Sequence, residues 1–334
     1  MSDDRHFLRR PRVSVVLPFL NAKQFLEQAV HSVLHQTYPD WELLMVDDGS
    51  RDGSTEIARS YAMNMPEQVR YFEHKNHANR GVAASRNVAI SHAAGEYIAL
   101  LDADDVWWRY KLEQQLVILD RNPRAEAIHG LSVYWNSWNE ESQECDFIPS
   151  LPVEPDRIFS PVELVARYSP VGSTYSPCVS SLLVRRDLVL RVGGFEEQFH
   201  GVYQLFEDQA FLLKVYVTAP IFVALQCWDK YRLHANSCCA VWNKRRHYDS
   251  ARFFLLNWFV GYLRREGVQD ESLSRGLHRA FWRYRHPAMF KIFRPAARTL
   301  RSVGTLLRQT SMARGDISDA QFFTSDLHVR ERIR

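Results

Sequence analysis

Asp102, Asp104 and Asp105 place three carboxylates within four positions, directly after an apolar run, Tyr97 to Leu101, that reads as a short buried strand. No Lys or Arg follows the cluster until Arg109, so these groups repel one another unless a cation sits among them. Hard divalent ions prefer carboxylate oxygens, and Mg²⁺ often completes its shell with substrate phosphates. The position suits such a role, because ligands of open α/β sheets collect beyond the carboxyl ends of the strands. A solvated acidic turn capping the next helix would use the same residues, so the rest of the chain must decide.

Two more carboxylate pairs occur at element ends. Asp47 and Asp48 open the loop DDGSRDGS after the apolar run Trp41 to Val46, and Glu207 and Asp208 open a helical stretch, Phe206 to Val217. Carboxylates in a first helical turn also suit the helix dipole, which is the plain structural reading of the latter pair. Arg86 sits about one turn into a helix over Gly81 to His92, behind the turn formers Asn79 and Gly81. A guanidinium there suits a phosphate or a carboxylate, and a salt bridge to Asp102 or Asp104 would serve equally well. His234 is a lone histidine, a type more often structural than functional.

These residues need a frame to hold them. Val13 to Phe19 reads as a central parallel strand, and Phe25, Leu26, Ala29, Val30, Val33 and Leu34 form a helical stripe after it. Strands over 41–46, 69–73 and 97–101 alternate with helices over 55–62 and 81–92. The pattern predicts a mostly parallel sheet with helices on both faces. A helix follows at Lys111 to Asp120, then strands near Glu126 to Trp138, Ser180 to Val184 and Ile221 to Trp228, with the Pro-rich stretch Ile148 to Pro161 as a loop. The chain after Asn243 is helical, aromatic and basic.

At 334 residues, 46% hydrophobic and 24% charged with net charge +3, the composition is that of an ordinary globular protein. Five cysteines without a Cys-x-x-Cys pair predict reduced thiols in a cytoplasmic protein. The N-terminal stretch lacks the apolar core of a signal peptide, and the longest apolar run, Phe253 to Leu263, is too short to span a membrane. No Gly-x-Gly-x-x-Gly follows the first strand, which argues against a nicotinamide dehydrogenase. No nucleic-acid-binding module accompanies the arginines.

The segments VSVVLPFLNA, VDDGSRDGS, NRGVAASRN and LDADD, in that order at strand ends and helix starts, resemble the signature of family 2 glycosyltransferases with the GT-A fold. RVGGFEEQF followed by FEDQAFLLKVYV resembles the acceptor-side motif of that family, and YRLHANS its closing motif. The resemblance covers residues 10–240, divided into a nucleotide-binding half, 10–125, and an acceptor-binding half, 126–240. Residues 241–334 form a basic, aromatic-rich helical C-terminal extension. It implies an α/β fold of GT-A type and transfer of a sugar from a nucleotide-sugar to an acceptor hydroxyl with inversion, assisted by Mn²⁺ or Mg²⁺. By resemblance, Pro18 and Phe19 lie at the base pocket, Asp47 shapes its loop, and Asp48 accepts a hydrogen bond from a pyrimidine, so a UDP-sugar is the expected donor. Arg86 faces the diphosphate or the acidic loop. Asp104 holds the metal, with Asp102 nearer the ribose, Asp105 in reserve and His234 as a further ligand; Asp208 is the base, and Glu207 stands on the acceptor side. Leu20 replaces the aromatic residue usual before the first-loop Asn, which removes that base-stacking contact. A saccharide or lipid-linked saccharide acceptor in surface polysaccharide or glycolipid assembly is expected. The alternative is a catalytically inactive nucleotide-sugar-binding scaffold of the same fold.

Between Pro295 and Gln309 the apolar residues Ala296, Ala297, Leu300, Val303, Leu306 and Leu307 recur at helical spacing, with arginines on the other side. Such a helix either lies in an anionic membrane surface or packs on the catalytic domain.

Overall fold

The computed structural model describes residues 10–244 and 247–289. Its first half alternates strand and helix: β1 (Val13–Phe19), α1 (Leu26–Leu34), β2 (Trp41–Asp47), α2 (Ser54–Asn64), β3 (Val69–Glu73), α3 (Val82–His92) and β4 (Tyr97–Leu100). β1, β2 and β4 are buried along their whole length, which is why each is an unbroken apolar run. β1 lies between β2 and β4, all parallel, and β3 extends the edge in parallel beside β2. Val13, Val15, Leu17 and Phe19 share one core with Leu26, Ala29, Val30 and Val33 of α1. α3 packs on β1 and β2 with Ala84, Ala89 and Ile90 buried.

The second half adds β5 (Val106–Trp107), α4 (Lys111–Arg121), β6 (Ala127–Trp135), β7 (Arg157–Phe159), β8 (Leu183–Arg185), α5 (Arg186–Arg191), α6 (Glu207–Thr218) and β9 (Ile221–Arg232). The sheet runs β3-β2-β1-β4-β8-β6-β9-β5, with β7 pairing β9. The expected parallel sheet holds from β3 to β4 and again for β6 beside β9; β8 runs antiparallel to β4 and β6, and β5 and β7 antiparallel to β9. β8 has three residues and is reached by an irregular segment rather than a helical crossover, so no βαβ handedness dictates its direction. β7 falls inside the Pro-rich stretch expected to be loop.

α7 (Cys238–Lys244), α8 (Tyr248–Arg265) and α9 (Glu271–Arg285) follow. The first compact unit continues past residue 240, to Phe281. α8 belongs to it: Phe254 stacks on Tyr203 at 4.0 Å, Trp258 meets Phe199 edge-on at 5.2 Å, and Arg252 donates to the Pro170 and Ala280 carbonyls. The second unit begins at Trp282, whose ring lies 5.6 Å from His286. The basic helix expected over 295–309 lies outside the described residues. No described helix is long and apolar enough to cross a membrane.

β6 and β9 pair in parallel with register shifts on either side of Leu131. Gly130 sits at that irregularity because a Cβ there would stand 2.3 Å from the Gln226 carbonyl oxygen and 2.8 Å from the Trp228 ring. Gly130→Ala should therefore cost about 1–3 kcal/mol through overpacking; urea unfolding of the purified variant checks this, and an unchanged midpoint would refute it.

Candidate active site

The DDGS loop is built from its own carboxylates. Asp47, at the end of β2, accepts from the Gly49 and Ser50 amides at 3.1 and 2.8 Å and from the Thr55 hydroxyl at 2.5 Å. It is fully buried, so it shapes the loop, as expected, and has no surface left for a nucleotide. Asp48 reaches across to the next motif. It accepts from the Arg80 amide at 2.7 Å and the Gly81 amide at 3.0 Å, with His74 3.5 Å away. Burial pushes its carboxyl up, while those two amides and His74 pull it down. At 4% exposure, Asp48 here clamps the N-terminus of α3 rather than standing open to a base. Phe19 is a correction too: it belongs to the hydrophobic core, because alternation along β1 turns it toward α1. Pro18 is buried beside Val46 in the ladder, and Leu20, 43% exposed, is the side chain offered at that edge.

A cleft of about 900 Å³ opens beside the clamped N-terminus of α3, lined by His74, Asn79, Arg80, Gly81, His200 and Gln204 among others. The volume is within the range of small-molecule sites. Pro18, Asp47, Asp102 and Asp104 do not line it. Gln204 lies in the 3-10 helix Gly201–Phe206 before α6 and His200 caps it, a turn that carries no readable signal in the sequence.

Arg86 is 2% exposed and joins the two halves of the sheet. Its Nη2 donates to Asp102 Oδ1 at 2.5 Å, and its Nη1 contacts Glu207 Oε1 at the start of α6. Its plane lies 5.0 Å from the Phe195 ring. Burial opposes the charge on the guanidinium, but Glu207 and Asp102 outweigh it and raise its pKa. Of the alternatives open in the sequence, the structure has Arg86 on the acidic loop, with Glu207 as a second partner that no spacing announced. Glu207 thus pairs with Arg86 rather than merely capping its helix.

The acidic loop sorts its carboxylates. Asp105 is fully buried, accepts from the Ser180 hydroxyl at 2.7 Å and the Arg232 amide at 3.0 Å, and is pushed well up by burial and by Asp104 and Asp102. It is a structural residue, which removes it as a reserve ligand. Asp104 and Asp102 stay partly open, with 32% and 29% of their side chains exposed. Asp104 Oδ2 stands 3.0 Å from His234 Nε2. Arg232, unmarked in the sequence except as part of YRLHANS, locks this corner: its Nε donates to the Asp104 carbonyl at 2.7 Å and its guanidinium lies over Phe25, Trp135 and Trp138.

Asp104 and His234 offer an oxygen and a nitrogen donor of the types divalent ions take, but they contact each other at 3.0 Å, and Asp102 gives an oxygen to Arg86. No group of three or more His, Cys, Asp or Glu able to hold a metal occurs among the described residues, so phosphate oxygens and water would complete the shell, as Mg²⁺ allows.

Asp208 lies one residue beyond Glu207. Its Oδ1 accepts from the Gln209 amide at 2.7 Å. Burial pushes its carboxyl up to about 6, against the pull of Arg86, with Asp102 adding to the rise. Glu207 is pushed up by burial to about 8, again opposed by Arg86, and its Oε2 has no hydrogen-bond partner. The constellation is therefore one cation between a loop of partly open carboxylates and a carboxylate whose pKa is near neutrality.

Residues 14–157 match the family model described as glycosyl transferase family 2. Among curated relatives, it is 40% identical over 126 residues to a putative teichuronic acid biosynthesis glycosyltransferase, TuaG, of Bacillus subtilis, covering 37% of this chain and 48% of that one. It is 36% identical over 110 residues to UDP-Glc:alpha-D-GlcNAc-diphosphoundecaprenol beta-1,3-glucosyltransferase WfgD of Escherichia coli, covering 33% and 42%. The match thus spans less than half the length of either relative. Among solved structures, S. aureus TarS 1–349 in complex with UDP superposes with a TM-score of 0.61 at 18% identity, covering 84% of this chain and 75% of that one. The mannosyltransferase PcManGT of Pyrobaculum calidifontis, in complex with GDP-Man and Mn²⁺, gives 0.57 at 21% identity, covering 96% and 80%. The fold is of GT-A type.

Replacing Arg86 with Met leaves Asp102 and Glu207 without their shared partner, the second of them wholly buried. Breaking a buried pair this way should lower unfolding stability by about 3–5 kcal/mol. Denaturant titration of the variant is the check, and a loss under about 1 kcal/mol would mean that the bridge contributes little.

Proposed function

We propose that this chain is an inverting glycosyltransferase that moves a sugar from a nucleotide-sugar, most simply a UDP-sugar, to a hydroxyl of a saccharide or lipid-linked saccharide in cytoplasmic steps of polysaccharide or glycolipid assembly. The observation that carries the reading is the Arg86 bridge, which ties the partly open Asp102 to Glu207, the chain neighbour of Asp208. The names of TuaG and WfgD and the UDP of the TarS complex support the donor and the pathway class.

Asp208 acts as general base. The acceptor oxygen forms its bond to the anomeric carbon as the bond from that carbon to the diphosphate breaks, and the hydroxyl proton passes to the Asp208 carboxylate. A base with a pKa near the working pH combines availability with driving force, and such help is worth about 10²–10⁴ in rate. Attack opposite to the leaving group gives inversion. Asp104 and His234 would hold Mn²⁺ or Mg²⁺, which when bound neutralises charge growing on the departing diphosphate. Arg86 remains with Asp102 and Glu207 and keeps the acceptor helix in register with the donor loop. Arg232 and its three aromatic rings hold Asp104 in place.

Three outcomes test this. Asp208→Asn should cut turnover by about 10² or more while leaving nucleotide binding nearly intact; near-normal turnover would remove Asp208 as base. The wild-type rate should fall as pH drops through about 6, where Asp208 takes up its proton, and the residual rate of the Asn variant should lack that limb. Thermal unfolding with UDP and Mn²⁺ at about 100 times the dissociation constant should gain roughly 2.7 kcal/mol, and Asp104→Ala should remove the Mn²⁺-dependent part. No shift with any nucleotide would favour the inactive scaffold.

A further inference from the structure

A second cleft is lined by residues of the second half of the sheet. Its walls come from the end of β6, the 149–151 loop and the 175–178 segment, and its cavity is about 30 Å³, lined by Ser132, Tyr134, Tyr168, Tyr175 and Cys178. Tyr168 is 3% exposed, yet its hydroxyl has no hydrogen-bond partner, whereas the Ser132 hydroxyl faces the buried Asp229 carboxylate. A buried hydroxyl left unpaired is costly, so such groups call for an occupant. Above this floor stands an aromatic rim. Tyr134 lies 5.0 Å from Phe147 and 5.5 Å from Tyr175, and Phe147 and Tyr175 are 41% and 59% exposed.

The position relates this cleft to the chemistry. Cys178 is two residues before Ser180, whose hydroxyl holds Asp105 and accepts from the Asp102 amide. Tyr134, one residue before the end of β6, lies 5.0 Å from Tyr231, which is next to Arg232. Cys239, which interacts with Tyr231, also feels the charge of Asp208. The nucleotide-side loop lies at the end of β2, four strands along the sheet from β6, roughly 19 Å at a spacing of about 4.8 Å. The cleft therefore belongs to the second half of the sheet, away from the nucleotide-side loop.

We propose that this cleft is an acceptor subsite for one pyranose ring, a reading that rests on the glycosyltransferase function above and names the substrate surface within it. A pyranose presents an apolar face of C–H groups and a periphery of hydroxyls. Exposed Tyr175 and Phe147 match the face, and the unpaired Tyr168 hydroxyl matches one substituent. A cavity of about 30 Å³ takes a single hydroxyl or hydroxymethyl, or a water in its absence. The ring itself would lie over the rim with that group inserted.

The test is saturation-transfer NMR on the full chain loaded with UDP and Mn²⁺, using the methyl glycosides of glucose, galactose and N-acetylglucosamine as probes. At least one should receive saturation. Tyr175→Ala and Tyr168→Phe should each weaken that probe's binding by about three- to tenfold, the worth of an aromatic contact or of one hydrogen bond. Tyr168→Phe should keep a melting temperature no lower than wild type, since it deletes a hydroxyl that has no partner in the free protein, and both variants should retain the wild-type shift with UDP. A UDP shift with no glycoside binding, or binding unchanged in both variants, would overturn the subsite while leaving the glycosyltransferase reading intact. Absence of the UDP shift in the wild type would instead strike at that reading, whatever the glycosides do.

Discussion

A single buried guanidinium organises this molecule. Arg86 sits on α3, one of its partners on the loop after β4, and the other at the start of α6. These elements belong to different halves of a sheet whose halves follow different rules, one parallel and crossover-built, the other mixed and joined through the short β8. Desolvating a charge is expensive, and the cost is recovered only when well-placed opposite charges surround it. The bridge therefore demands that both halves assemble correctly before it becomes favourable, and in return it sets the distance between a donor-side carboxylate and the acceptor-side pair. Around it, burial separates the acids by role. Asp47 and Asp105 are wholly enclosed and hold loops together, whereas Asp102 and Asp104 keep part of their surface.

The same economy appears at Arg232. Its backbone amide holds Asp105, its Nε holds the Asp104 carbonyl, and its Nη2 donates to Gln28 on α1 at 2.6 Å. Phe25, Trp135 and Trp138 surround the charge with ring faces, an arrangement that favours Arg over Lys because a planar ion can stack on several rings while its edges donate. Two arginines thus fix the acidic loop from opposite sides, and neither is exposed enough to act as a freely moving phosphate ligand.

The parallel half was readable because its physics is local: strands buried on both faces must be continuous apolar runs, and helices between them must show a stripe. β7 was missed because three residues, Arg157–Phe159, in a Pro-rich stretch give no period to detect. The antiparallel entry of β8 depends on where a long irregular segment returns, which no local pattern encodes. In the site, the residue types were legible and their partners were not. Asp48 looks like a ligand by motif and is occupied by two amides; Glu207 looks like a helix cap and is half of an ion pair. His234 was legible as a candidate only through its motif, and its place beside Asp104 needed the fold.

The clamp of Asp48 on the Arg80 and Gly81 amides has a wider consequence. α3 is an unbroken helix held at its first turn by the DDGS loop and, one turn further on, by the Arg86 bridge, so it behaves as a short rigid rod pinned at two points. Any displacement of the loop must be transmitted along that rod to Glu207 and the start of α6. If occupancy on one side moves the rod, occupancy on the other must feel it by the same free energy, since linkage between two sites is reciprocal. The strength of that coupling would then be set by the stiffness of eleven residues of helix rather than by contact between the ligands.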